Sequence, residues 1–206
     1  MPRETYTTLE AEFRHEIDKI KGSRFIASLA PARDEAAAEA FLDRVRREFP
    51  DARHHCFAWR LGADGGRFRS SDDGEPSGSA GKPILMQLEG HELSDLVCVV
   101  TRWFGGTKLG VGGLMRAYGG AAGMACDRAP LREVTITRTV QVTHPYECSG
   151  AVKGLLSQFE LEPLDAQYDA EVRFRLEVPI GRLEEFLVEL SDRTAGRSSA
   201  DPGPSA

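Results

Sequence analysis

Hydrophobic positions along this chain recur with a period near two in some stretches and near 3.6 in others, and the alternation of the two lays out most of its elements. Arg24 to Ala30 (RFIASLA) reads as a strand with Phe25 and Ile26 as its heaviest apolar pair. Asp34 then offers an N-cap, and Phe41, Leu42, Val45 and Phe49 follow at helical spacing until Pro50 stops the run. Cys56 to Leu61 and Arg67 to Ser71 make a hairpin pattern around Gly62-Ala63-Asp64-Gly65-Gly66, where glycines supply the turn. A short helix is predicted over Lys82 to Leu88. Leu96 to Val100 is a nearly continuous β-prone run, as expected of a strand covered on both faces. A helix starts near Gly112-Gly113, with Leu114, Tyr118, Ala121, Ala122 and Ala125 on its buried face. Its small residues, Gly119 to Ala122, suit close packing against a sheet.

Ala129-Pro130 ends this unit and marks a domain boundary, giving a first domain of residues 1–130. Beyond it, Val134, Ile136, Val140 and Val142 suggest one long strand. Ser149 to Phe159 reads as a helix carrying Val152, Leu155, Leu156 and Phe159. Two strands follow, at Leu164 to Tyr168 and Val172 to Val178, and Leu183, Phe186, Leu187 and Leu190 form a last amphipathic helix. The order βαββα over residues 131–193 is that of a small ferredoxin-like α+β sandwich lacking an obvious final strand. Residues 194–206, polar and rich in Gly, Pro and Ser, read as a disordered tail.

Composition narrows the classes of function. The net charge of −6 argues against a generally basic nucleic-acid binder. Residues 1–130 hold 18 basic and 19 acidic side chains against 8 and 13 in residues 131–206, so a local basic patch remains open in the first domain. No apolar run approaches a membrane span, and the polar start does not resemble a signal peptide. The four cysteines show no zinc spacing and read as reduced thiols of a cytoplasmic protein. Neither a metal nor a cofactor is expected.

The chemistry concentrates between Ser70 and Ala122. One cluster runs Ser71-Asp72-Asp73-Gly74-Glu75-Pro76-Ser77-Gly78-Ser79-Ala80-Gly81, the other from Thr101-Arg102-Trp103-Phe104-Gly105-Gly106 to Gly119-Gly120. A glycine-rich turn leading into a helix N-terminus exposes backbone N–H groups, and Gly105, Gly106, Gly110, Gly112 and Gly113 offer such a turn. Lys108 and Arg116 add positive charge, with Arg102 and Lys82 as further candidates on that face. A phosphate-type anion is the natural ligand. Trp103 and Phe104 beside Arg102 are aromatics of the kind that stack on bases, but strand alternation leaves at most one of them free, and core packing is the favoured reading for each alone. The alternative is a tight strand–helix connection with solvated charges. Asp72, Asp73 and Glu75 have three readings: a water-mediated Mg²⁺ site or acid–base pair, ion pairs with Arg102 or Arg116, or helix capping. The last two are favoured because a hard-metal site needs more ligands than this loop offers. A strand sends His54 and His55 to opposite faces, so one of the two approaches the acidic loop through the hairpin, and a nucleophilic set of Cys56, Ser79, His54 and Asp73 lacks any accompanying motif.

Two long motifs, SDDGEPSGSAGKPIL at Ser71–Leu85 and VVTRWFGGTKLGVGGLMRAYGGAA at Val99–Ala122, resemble the IMPACT/YigZ family. The upstream segment His54-His55-Cys56-Phe57-Ala58-Trp59 accompanies them. The chain departs mildly from that pattern at Trp103, Ser79 and His55. The resemblance covers most of residues 20–127 and implies a first domain with a left-handed βαβ element, similar to ribosomal proteins and to domain IV of elongation factor G. It also implies a ferredoxin-like second domain of the two-domain bacterial form. What it implies about function is a cytoplasmic, non-enzymatic, translation-associated binding or regulatory protein, contacting RNA phosphate or a ribosome or factor surface. The alternative from the residues is an enzyme for a small phosphorylated or nucleotide substrate using the acidic loop. A module that docks through its acidic second domain is the third reading. Oligomeric state stays open.

Overall fold

Most of the period-two segments of the first 130 residues pair into one antiparallel sheet. The computed structural model describes residues 3–203, which fall into two units: Thr5–Val134, and residues 135–203 with Arg3 and Glu4. The first contains β1 (Thr5–Leu9), β2 (Phe13–Ile20), β3 (Ser23–Pro31), α1 (Glu35–Glu48), β4 (His54–Leu61), β5 (Arg67–Ser71), α2 (Gly81–Gly90), β6 (Leu96–Trp103) and α3 (Val111–Arg128). Five strands lie in the order β2-β3-β6-β4-β5, every neighbouring pair antiparallel. Because β3 and β4 both run against β6, they are parallel to each other, and α1 is the crossover between them.

β6 sits at the centre, and its unbroken apolar run is explained by cover on both sides. Cys98 and Val100 join the core formed with α2 and α3, whereas Val97 and Val99 join the one formed with α1. α1 begins where Asp34 accepts a hydrogen bond from the Ala37 N–H at 2.7 Å, a cap worth about 1 kcal/mol. It buries Ala38, Phe41, Leu42 and Val45. The strands β1 and β2 were not foreseen. β2, with the sequence FRHEIDKI, alternates half-buried and exposed positions as far as Asp18 and lies at the sheet edge, where its charged side chains discourage pairing with other chains.

The second unit contains β8 (Thr137–His144), α4 (Ser149–Phe159), β9 (Leu164–Tyr168), β10 (Val172–Pro179), α5 (Leu183–Thr194) and β11 (Ser199–Asp201), preceded by β7 (Leu131–Thr135). The expected long strand over Val134 to Val142 is therefore two. β7 pairs with β1, while β8 enters a four-stranded sheet of order β11-β8-β10-β9. Between them Ile136 donates its N–H to the Glu4 carbonyl and accepts from the Ile180 N–H. The sheet is antiparallel throughout, with α4 and α5 packed on one face, and the element order βαββαβ is ferredoxin-like.

Expected disorder from residue 194 is corrected over much of that segment. Thr194 is buried and its hydroxyl donates to the Leu190 carbonyl at 2.7 Å. β11 then supplies the final strand that had seemed absent, pairing Ser199–Asp201 with Gln141–Thr143. A three-residue strand needs only one inward side chain, Ala200, which packs on the core. Its polar neighbours stay exposed, so composition alone concealed it. Residues 204–206 of the expected tail lie outside the described residues. Among the described residues no helix is long and apolar enough to cross a membrane.

Candidate functional site

The acidic run leaves β5 and enters α2 through a loop fastened by its own carboxylates. Asp72 accepts from three backbone N–H groups, Gly78 at 2.8 Å and Ala80 and Gly81 at 2.9 Å, and so caps the start of α2. Burial works against its charge, but the three donors outweigh it and hold its carboxyl below the usual range. Asp73 takes the His55 N–H at 2.6 Å, and its own carbonyl accepts from His54 Nδ1 at 2.8 Å. The Cys56 thiol donates to the Asp72 carbonyl at 3.0 Å.

Glu75 reaches furthest inward. Its Oε1 receives Arg102 Nη1 at 2.5 Å and the Tyr118 hydroxyl at 2.8 Å, with His54 Nε2 at 3.8 Å. The Glu75 and Arg102 side chains are each only 5% exposed. This pair ties the first motif to the second, and Arg102 Nη2 extends it to the Ser23 hydroxyl at 3.2 Å. Among the described residues no group of three or more His, Cys, Asp or Glu is arranged to hold a metal ion. The nucleophilic set drawn from the sequence is occupied otherwise. Ser79 is fully buried and donates to the Pro76 carbonyl at 2.6 Å, and burial pushes the Cys56 thiol up to about 12.

The second motif divides into packing and surface. Trp103 donates its indole N–H to Asp51 at 2.9 Å, meets Phe49 edge to face at 5.3 Å and lies under the Arg24 guanidinium. Gly105 serves close approach, because a Cβ there would fall on the backbone of Gly22 and Ser23. Gly106 is an exposed loop residue with positive φ. Gly110 takes φ +74° and is the N-cap of α3, with no side chain closing that end. Gly112 and Gly113 lie in the first turn of α3, where N–H groups have no partner within the helix.

The two motifs enclose a cavity of about 440 Å³. Arg53 and His54 border it from the start of β4, Glu75 from the acidic loop, and Arg102, Phe104 and Lys108 from the second motif. Gly110, Val111 and Leu114 form its α3 wall. The expected residues Lys82, Trp103 and Arg116 are not in that lining: Lys82 is exposed in the first turn of α2, and Arg116 is exposed one turn along α3. Arg102 is there but its charge is met by Glu75. Arg53, Val111 and Leu114 line it without having been candidates. Phe104 is 44% exposed and Trp103 is packed, so of the two aromatics, of which strand alternation leaves at most one free, Phe104 is the one open to a ligand.

A model of the Impact N-terminal domain matches residues 21–126, and a second, described as a domain of unknown function (DUF1949), matches residues 142–197. The chain is 41% identical over 187 residues to the IMPACT family member YigZ of Escherichia coli (strain K12), covering 87% of this chain and 89% of that one. It is 44% identical over 179 residues to an IMPACT family member in the pol 5' region of Thermus thermophilus, covering 86% and 97%. A crystal structure described as that of an hypothetical protein superposes with a TM-score of 0.77 at 37% identity over 97% of both chains. Matched by the family's N-terminal domain across both motifs and by bacterial members along most of its length, this chain belongs to the IMPACT family.

Proposed function

We propose that this chain is a non-enzymatic, translation-associated binding protein that holds RNA phosphate at the cavity between its two glycine-rich motifs. The observation that carries the reading is the convergence there of Lys108, Arg53 and the side-chain-free N-terminus of α3, beside the exposed ring of Phe104. Amide donors, two cations and a free aromatic face are the chemistry of a nucleic-acid strand. The translation setting comes from the family resemblance, and a ribosomal RNA surface is the partner it favours. An enzymatic use of the acidic loop has less support, because Asp72 and Asp73 are engaged with backbone N–H groups and Glu75 with Arg102.

The test is co-sedimentation with ribosomes and with RNA across a salt series, for the wild type and for Lys108→Glu and Arg53→Glu. Binding should weaken steeply with salt, and each reversal should lower both the affinity and the slope. A wild type that leaves RNA and ribosomes in the supernatant at low salt would overturn the proposal.

A further inference from the structure

One carboxylate oxygen on the cavity wall takes no donor from the protein among the described residues. The Arg102 guanidinium, the Tyr118 hydroxyl and His54 Nε2 all gather at Glu75 Oε1, and among the described residues Oε2 accepts no hydrogen bond. Glu75 lines the cavity, so a ligand seated there can donate to Oε2 in place of water. His54 Nδ1 lies on the Asp73 carbonyl, which can only accept, so that nitrogen carries a proton.

The surrounding charges decide what kind of donor fits. Arg53 and Lys108 make no side-chain hydrogen bond or ion pair among the described residues, and Arg102 stands beside them. An ammonium group would be repelled, which leaves a neutral hydroxyl. The same two cations ask for an anion within the same cavity, and the Phe104 ring offers a flat apolar face. A phosphate, a hydroxyl and a planar ring together are one ribonucleotide unit. Resting on the RNA reading above, we infer that this cavity reads the ribose 2′-hydroxyl. That hydroxyl donates to Glu75 Oε2, with the phosphate on Lys108 and Arg53 and the base against Phe104. The site thereby separates RNA from DNA.

The experiment measures binding of the full-length protein to one labelled decamer made as RNA, as DNA and as 2′-O-methyl RNA, at one low salt concentration. The 2′-O-methyl strand keeps the oxygen and removes only the donor hydrogen. RNA should bind about fivefold to tenfold more tightly than either analogue, the worth of one hydrogen bond. Glu75→Gln keeps an oxygen for Arg102 and Tyr118 but turns an N–H₂ toward the cavity, so RNA should fall to the level of DNA. Equal affinity of the wild type for RNA and 2′-O-methyl RNA would overturn the inference whether or not that variant folds. Binding of RNA and DNA alike would overturn it while leaving phosphate recognition intact. Failure of all three to bind would remove the RNA reading on which it rests. Competition by adenosine 5′-monophosphate at the concentrations where the RNA decamer competes would overturn an RNA chain as the source of the nucleotide.

Discussion

Asp72 shows how a residue chosen for its chemistry can be spent on architecture. The N–H groups of Gly78, Ala80 and Gly81, on the approach to α2 and in its first residue, find no partner in the helix, and this carboxylate takes these three. Its folded pKa lies below the ordinary carboxylate value, so the folded state holds the proton more weakly than the unfolded chain does. The stabilisation is complete above about pH 4, the range of a free aspartate, and is lost as pH falls through the lowered folded value. Asp72→Asn should therefore cost about 1–2 kcal/mol at neutral pH, with the difference from wild type shrinking as pH drops below 4. Urea melts of both proteins between pH 7 and pH 2.5 check this, and a constant difference across that range would refute it. The sequence displayed three carboxylates in four residues and favoured ion pairing and capping for them, but it could not assign one role to each. Asp72 finds its amides within nine residues, whereas Glu75 is met by Arg102 and Tyr118 and Asp73 by the His55 N–H, all of them distant in the chain.

Glycine in the second motif carries different meanings in the loop and in the helix that follows. Gly105 sits where the loop after β6 crosses the turn between β2 and β3, and there is no room for a methyl group. Gly120, exposed on α3, faces open space, and its backbone is helical. Gly119 and Gly123 pack instead toward Pro83 and Gln87 of α2, so the small residues expected to lie on the sheet partly serve helix–helix contact. Gly105→Ala should destabilise the protein by about 1–3 kcal/mol, whereas Gly120→Ala should stabilise it by about 0.4–1 kcal/mol through the unfolded chain. Thermal melts of the two variants separate the roles, and a Gly105→Ala protein as stable as wild type would show that the turn yields. Where the pattern of apolar residues was strong, as in α1, β6 and α4, the elements were legible because one buried stripe or run defines each. β2 and β11 were not, since an edge strand needs few apolar residues and is fixed by its neighbour's unpaired backbone.

Across the whole chain the hydrophobic residues sort into cores that share no member. Two of them draw on residues 9–129, with the central sheet between them, and the third draws only on residues 140–200. The charge follows the same division, nearly balanced in the first part and acidic in the second, which leaves the cavity's cations within a first unit that has little net charge of its own. Phe186 tests whether the division in packing is also one in energy. It is fully buried in the third core and meets Phe159 edge to face at 5.4 Å. Removing the ring leaves a hole that its neighbours fill only in part, and Phe186→Ala should cost that core about 3–5 kcal/mol. Effects between sites without shared partners add rather than couple. Amide exchange should therefore speed up in β8 and β10, whose inward side chains belong to the same core, while β6 keeps its wild-type protection. Equal loss of protection in β6 would mean that the two sets of residues unfold as one cooperative body, and binding variants in the first unit would then have to be read against the stability of the second.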